Sequence, residues 1–453
     1  DTMSHLDGAT LSLAYALPFV TLLLGIALLP LLAPAFWHRH FGKFAAACAL
    51  GFLLPFAIGH GVAAAAEGLL HALIGEYIPF IVLLSTLFTV AGGIYFSGNL
   101  RGRPALNTGL LAIGTVLASF MGTTGAAMLM IRPLMRANDN RRHHVHVFVF
   151  FIFLVANAGG SLTPLGDPPL FLGFLKGISF GWTLVHVLPQ TLFLVGSLLA
   201  LFYAIDRYFY RREGVEPVDP TPDTAAGGLQ VHGWQINVPL LLCVMALVLL
   251  SGTWKPGIDF HIAGVDVGLQ SLVRDAGLLV VLLLSLKLTP AMAREGNQFG
   301  WGPMVEVAKL FAGIFLTMIP VLAMLKAGLQ GPFASIVASV TTPAGEPVPL
   351  MYFWATGMLS GFLDNAPTYL VFFNLAGGDP ESLMTRHAAT LAAISAGAVF
   401  MGALSYIGNA PNMMVKAVVE ERGLRMPSFF GYMAWSAVVL LPLFAVMGWV
   451  WFR

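Results

Sequence analysis

The sequence predicts an all-α polytopic membrane protein: two inverted repeats of five transmembrane helices, each repeat with a re-entrant hairpin and a broken helix. Three observations carry that prediction. Of 453 residues, 57% are hydrophobic and 10% charged, where an ordinary soluble domain carries about 25% charged residues. The apolar residues gather into two sets of long runs separated by one polar stretch. Two polar motifs buried in those runs return at a single offset of 242 residues.

The first set of runs covers 11–36, 44–66, 77–98, 105–131, 147–175 and 181–205. The second covers 234–253, about 271–289, about 303–327, 347–376, 387–415 and 428–452. At a rise of about 1.5 Å per residue each can reach across a hydrocarbon core. Between them lies a polar linker, 206–233, with Arg211, Arg212, Glu213, Glu216 and a proline-rich segment at 217–222. Residues 1–205 and 234–453 are therefore the two repeats, joined by a cytoplasmic linker. The hairpins are expected at 105–131 and 347–376, the broken helices at 147–175 and 387–415.

The motifs support this division residue by residue. Gly122-Thr123-Thr124-Gly125 falls in register with Asp364-Asn365-Ala366-Pro367. Further on, Gly160, Leu162, Gly166 and Pro169 repeat as Gly402, Leu404, Gly408 and Pro411, with Thr163/Ser405 and Asp167/Asn409 close in chemistry. Two separate motifs keeping one register is the signature of an internal repeat.

Charge sets the topology. With 105–131 and 347–376 as hairpins that enter and leave on one side, each half has five crossings and the second half begins on the opposite side. With the N-terminus outside, the inner segments hold Arg39, Lys43, Arg101, Arg103, Arg132, Arg136, Arg141, Arg142, Arg207, Arg211, Arg212, Arg294, Arg422 and Arg425. The outer segments hold Lys176, Lys255, Arg274, Arg386 and Arg453. That excess of inner arginine and lysine obeys the positive-inside rule, whereas a plain spanning helix at 105–131 would split the cluster across both faces. The expected location is the cell's inner (plasma) membrane, crossed many times, with the lipid bilayer as surroundings.

Candidate binding residues follow from the interruptions. Gly122-Thr123-Thr124-Gly125 and Asp364-Asn365-Ala366-Pro367 read as hairpin tips, because glycine and proline weaken a helix and Thr, Asp and Asn supply oxygens. Thr163-Pro164-Leu165-Gly166-Asp167-Pro168-Pro169 breaks the helical ladder, and Gly408-Asn409-Ala410-Pro411-Asn412 is its milder counterpart. Such breaks are tolerated at membrane depth only inside protein or beside a cavity. Broken helix ends offer carbonyls to cations and amides to anions. Asp167 and Asp364 would each cost about 2.5 to 3.5 kcal/mol near mid-bilayer, which marks them as functional; capping a half-helix is their structural alternative. Two carboxylates and no Lys or Arg in the motifs favour a cation, with sodium and protons competing for the same oxygens. Asn157, before the break, either faces the site or bonds a neighbouring helix.

Other features bear less on function. A formal net charge of +1 with no like-charge block gives no sign of a nucleic-acid partner. Cys48 and Cys243 sit in apolar runs without metal-ligand spacing and read as packing residues, so no bound cofactor is expected. His60 and Lys326 are candidate proton relays or counter-ions, or else pair near a membrane edge. His143, His144 and His146 beside Arg141 and Arg142 read as a solvated basic loop, with pH sensing the alternative. A first residue of Asp1 is compatible with removal of an upstream segment such as a signal peptide.

The runs from Asn157 to Pro169, Leu363 to Thr368 and Ser405 to Asn412 resemble the ion transporter superfamily, and within it are most similar to NhaD-type sodium/proton antiporters, a citrate-transporter-like group. The resemblance covers nearly the whole chain. It implies a scaffold part, usually homodimeric, and a transport part carrying both hairpins and moving as an elevator. It implies one sodium site drawing on Thr123, Thr124 and Asp167 and another on Asp364, Asn365 and Asn409. Thr163, Thr368, Ser405 and Asn412, in the same motifs, complete the candidate site. Carboxylate-transporting members typically carry a Ser-Asn-Thr triplet at the tips, where this chain has Gly-Thr-Thr and Asp-Asn-Ala.

The expected function is thus secondary active exchange of sodium or lithium for protons by alternating access, with small inorganic cations and protons as partners and no enzymatic activity. The alternative is sodium- or proton-coupled transport of citrate or another carboxylate, with the anion at helix N-termini. A remote alternative is an intramembrane aspartyl protease, whose two aspartates would share a proton. Such enzymes resemble one another in a Gly-x-Gly-Asp motif, where this chain reads Pro164-Leu165-Gly166-Asp167.

Overall fold

Proline sets the starts of many of the helices. It stands in the first turn of the helices beginning at 17, 34, 78, 104, 168, 188, 302, 349, 380 and 410, where its missing N–H would lack a partner in any case. The computed structural model describes residues 6–98, 100–214 and 229–453. Its helices run α1 (Leu17–Leu32), α2 (Pro34–His60), α3 (Val62–Ala72), α4 (Ile78–Ala91), α5 (Pro104–Met121), α6 (Thr123–Asn138), α7 (Val145–Phe151), α8 (Pro168–Leu175), α9 (Trp182–His186) and α10 (Leu188–Glu213). They continue as α11 (Trp234–Thr253), α12 (Leu269–Leu288), α13 (Ala291–Gly296), α14 (Gly302–Lys326), α15 (Ala334–Ser339), α16 (Pro349–Phe362), α17 (Asn365–Leu375), α18 (Pro380–Met384), α19 (Ala388–Phe400), α20 (Ala410–Glu421) and α21 (Phe429–Trp451). Among the described residues, nine helical stretches are long and apolar enough to cross a membrane. The molecule is an α-helical, multi-pass membrane protein.

The interruptions fall inside the expected runs. Gly122, with φ of +87°, separates α5 from α6, and α6 folds back along α5. Their far ends are tied by reciprocal amide bonds, Asn107 to Asn138 and Asn138 to Asn107, each 2.8 Å. Leu363 and Asp364 separate α16 from α17, and the rings of Tyr352 and Phe372, at the opposite end of that pair, lie 6.2 Å apart. After α7 the chain makes a π-helical turn (Ile152–Asn157) and a short 3-10 turn (Ala158–Gly160), leaves the helix, and resumes at α8. α19 likewise passes through a 3-10 turn (Met401–Leu404) before resuming at α20. Helix starts at Thr123 and Pro168 recur 242 residues on, at Asn365 and Ala410.

The helices pack in two groups. In one, α14 lies against α2, α12 against α4, and α11 against α12. In the other, α16 packs on α19, α5 on the π-helical turn and α10, α17 on α8 and α20 on α6. Contacts of α14 with α17 and of α4 with α6 join the groups, and the candidate site lies at that junction.

Three features depart from the sequence reading. Small sheets interrupt the all-α pattern: β1 (Tyr95–Ser97) pairs with β2 (Gln230–His232), and β3 (Asp259–Ile262) with β4 (Val265–Gly268). Ala263 and Gly264 both take positive φ between β3 and β4, as a two-residue hairpin turn requires. The polar stretch beginning at Asp206 starts as the last turns of α10, since Asp206 and Glu213 are buried there; its segment 215–228, with Glu216 and the prolines, lies outside the described residues.

The third departure is the basic loop, which is buried rather than solvated at Arg141, His144 and His146. Arg141 Nη1 lies 2.7 Å from Asp206 Oδ1, and its Nε 3.0 Å from Glu213 Oε2. His146 Nε2 meets the same Asp206 oxygen at 2.6 Å, and Asn107 Nδ2 donates to the other at 3.0 Å. The His144 ring accepts from the Arg425 backbone N–H at 3.0 Å, and burial holds its pKa below the ordinary imidazole range. These pairs fasten the foot of the α5–α6 hairpin to α10 and to the segment after α20.

Neutralising Asp206 takes a buried partner from both Arg141 and His146, leaving Arg141 with Glu213 alone. Asp206→Asn is expected to lower stability in mixed micelles by about 3 kcal/mol, whereas Arg386→Ala at the exposed Arg386–Glu346 pair should cost under about 0.5 kcal/mol. Equal losses in denaturant titrations of both variants would contradict this account.

Candidate functional site

Breaking a helix leaves backbone groups that must find other partners, and here each break is closed by a hydroxyl. Thr163 Oγ1 donates to the Ser119 carbonyl of α5 and accepts from Leu165 N at 3.1 Å. Ser405 Oγ donates to the Gly361 carbonyl of α16 and accepts from Ile407 N at 3.3 Å. Gly166 N reaches Thr163 O at 3.0 Å, as Gly408 N reaches Ser405 O at 3.3 Å. These three bonds of the first break recur in the second 242 residues on. Thr163 and Ser405 therefore tie each break to its hairpin and do not line the cavity.

Glycine is obligatory where the chain then crosses itself. A Cβ on Gly166 would stand 2.4 Å from the Gly160 carbonyl oxygen, and one on Gly408 would stand 2.3 Å from that of Gly402. The crossing places Asp167 N 3.0 Å from Gly160 O, and Gly166 O 3.1 Å from the N–H of Thr123 at the α6 tip.

Asp167 sits where these strands of chain meet, with 0% exposure. Its Oδ1 accepts from Thr123 Oγ1 at 3.1 Å and Asn409 Nδ2 at 3.3 Å, and its Oδ2 from Asn365 Nδ2 at 2.6 Å. One carboxylate thus joins a tip from each half and the opposite break. Asn157 extends the network: its Nδ2 donates to Ile152 O at 2.9 Å, closing the π-helical turn, and to Asn412 Oδ1 at 2.8 Å. Asn412 donates in turn to Gly402 O and Ser405 O, at 2.8 and 2.9 Å. Asp364 caps α17 through Ala366 N at 3.0 Å, and Thr368 Oγ1 returns to Asp364 O at 2.8 Å.

A cavity opens on this centre. Of the residues expected at the site, Thr123, Thr124, Asp167, Asp364, Asn365 and Asn409 line it. Asn157, Thr163, Thr368, Ser405 and Asn412 form the frame behind. The opposite wall, from α4, α8 and α14, is apolar: Leu83, Leu87, Phe88, Phe171, Met304, Val307 and Phe311. The sequence carried no signal for these side chains, which look like any other apolar residues of a membrane helix. Four helices, α6, α8, α17 and α20, begin at residues of the cavity. Among the described residues, no lysine, arginine or histidine lines it, and no cluster of three His, Cys, Asp or Glu could hold a metal ion. His60 and Lys326 lie elsewhere, exposed at the ends of α2 and α14, His60 with its ring stacked on Phe56, and neither lines this cavity.

The family model described as "Putative citrate transport" matches residues 8–452. The chain belongs to that family, a citrate-transporter-like group of ion transporters; no catalytic family is indicated. No curated protein matches the chain.

The crossings yield a direct test. Gly166→Ala and Gly408→Ala each force a methyl against a backbone oxygen, and each should cost at least about 3 kcal/mol or prevent folding. Gly109→Ala, in open space on α5, should be stabilising or neutral within about 1 kcal/mol. Thermal unfolding of the purified variants distinguishes the two classes, and a stable Gly166→Ala protein would refute the crossing.

Proposed function

We propose, from membership in this family, that the chain is a secondary active transporter coupling a cation at the Asp167–Asp364 centre to a carboxylate, citrate being the substrate the family description names. The observation that carries the reading is the convergence of four helix N-termini on a cavity that also holds two aspartates. Helix N-termini present partial positive charge to an anion, and free amides where no proline removes them; α8 opens on Pro168-Pro169 and offers no N–H at its first two positions. Asp364 caps α17 and Gly166 O takes the Thr123 amide, but α6 has no side-chain cap behind Gly122, so its next amides, of Thr124 and Gly125, can serve a substrate carboxylate. The aspartates then serve sodium or a proton.

A second reading, exchange of sodium or lithium for protons, is favoured by a different observation. Among the described residues the cavity has no basic side chain to hold a multiply charged anion, and its tips lack the Ser-Asn-Thr triplet of carboxylate carriers. Both readings use the same cation centre.

The architecture proposed for either is alternating access by an elevator. The recurring hydrogen bonds support two repeats, inverted in the membrane by the arginine and lysine distribution, with α5–α6 and α16–α17 as re-entrant hairpins. The group holding α2, α4, α12 and α14 would be the scaffold and, by family analogy, the homodimer contact. The group holding both hairpins would move. The Lys176–Glu76 pair, 2.5 Å, links the end of α8 to the turn before α4 across that boundary. The inner (plasma) membrane, with the N-terminus outside, is the proposed location.

Reconstitution in liposomes with an internal pH dye and labelled citrate tests the assignment. Citrate uptake that requires sodium or a pH gradient is expected, falling by at least about tenfold in both Asp167→Asn and Asp364→Asn. Proton flux driven by sodium or lithium without citrate would move the assignment to antiport. Flux unaffected by both substitutions would reject the centre.

A further inference from the structure

Helices α6 and α20 both begin at the cavity and pack against each other. Their heads share one partner, since Thr123 and Asn409 both donate to Asp167. Their far ends, about 20 Å away at the rise of an α-helix, are joined separately by three bonds between segments 139–144 and 422–425. Arg422 Nη2 meets Asp139 Oδ2 at 3.0 Å, Arg425 Nη2 donates to Arg142 O at 2.7 Å, and the Arg425 backbone N–H donates to His144 Nε2 at 3.0 Å.

The third bond depends on protonation. An imidazole can accept only while neutral, and it then donates from its other nitrogen. His144 is placed to do both: Nε2 faces the Arg425 N–H, and Nδ1 lies 3.0 Å from the Arg141 carbonyl oxygen, which can only accept. The geometry therefore selects the neutral ring with its proton on Nδ1. A second proton, on Nε2, would set donor against donor. It would also place a positive charge beside Arg141, His146 and Arg425, with Arg142 and Arg422 in the same clasp. The carboxylates of this region are already engaged, Asp206 and Glu213 of α10 with Arg141 and His146, and Asp139 with Arg422. The His144 ring is 6% exposed, with the Phe148 ring edge-on at 5.9 Å.

We propose that His144 is a pH-sensitive clasp: neutral, it holds the foot of α6 to the foot of α20, and its protonation frees the Arg425 backbone, loosens the helix pair whose heads meet at Asp167 and slows transport. This regulation goes beyond the transport reading above and does not depend on which substrate the cavity takes. Burial depresses the His144 pKa, so the clasp's contribution is complete above the ordinary imidazole value near pH 6.5 and is lost as pH falls through the lower folded value. His146 differs, because its partner is the Asp206 carboxylate and protonation of that ring keeps the bond.

Hydrogen–deuterium exchange of the 422–428 region in the purified full-length protein, corrected for the chemical pH dependence of exchange, tests the clasp without any substrate. Between about pH 7.5 and about pH 5, wild type should lose protection at Arg425 about tenfold, as for one lost hydrogen bond. His144→Gln, whose side-chain oxygen can accept the same N–H without titrating, should stay protected at both pH values; His144→Phe should be unprotected at both. His143→Gln, on the exposed neighbour, should behave as wild type. Wild-type protection that does not change with pH, or a change that persists in His144→Gln, would overturn the clasp. In liposomes, the rate at about pH 5.5 relative to about pH 7.5 should be at least about threefold higher in His144→Gln than in wild type, measured as citrate uptake or as sodium-driven proton flux. Equal ratios would overturn the regulation. Protein that carries neither would overturn the transport reading instead, and the exchange measurement would still decide the clasp.

Discussion

Water cannot satisfy a broken helix inside hydrocarbon, and everything at the centre of this protein answers that constraint. The chain interrupts four helical paths at residues around one cavity, and every interruption must be sealed by protein. Thr163 and Ser405 do so by reaching back to a hairpin carbonyl while receiving an amide two residues ahead. Gly166 and Gly408 allow the backbone to cross at a separation that admits no Cβ. What remains unsealed is the set of groups facing the cavity, so the demands of backbone solvation and of ligand binding meet in the same few residues.

Burying Asp167 follows the same logic. An isolated carboxylate there would be costly, and donors from Thr123, Asn365 and Asn409 offset the cost. Those donors come from both halves of the chain, so the charge also locks the halves in register. The π-helical turn at 152–157 supports this, because its extra residue brings Asn157 to the Asn412 and Asn409 side chains. Such turns are rare and cluster at functional sites.

A second buried polar centre lies away from the cavity, around Arg141 and Asp206. It joins the foot of one hairpin to α10 and has no counterpart 242 residues on, where Asp206 would correspond to Gly448 and Arg141 to Leu383. The two halves are thus alike where they meet the cavity and differ where they are anchored. That distribution accords with a core whose geometry is shared and a periphery free to diverge.

The sequence by itself determined the membrane class, the breaks near Gly122, Asp167, Asp364 and Asn409, and the register of 242, because glycine, proline and buried polar residues stand out against an apolar background. It also identified six side chains that line the cavity. Only the tertiary structure decided which candidates line the cavity and which brace it, since Thr163 and Thr123 are alike in sequence and differ only in what they touch. It alone revealed the apolar wall from α4 and α14, the burial of the Arg141 loop and the short strands. Those depend on contacts between residues far apart in the chain, and a local pattern carries no record of a distant partner.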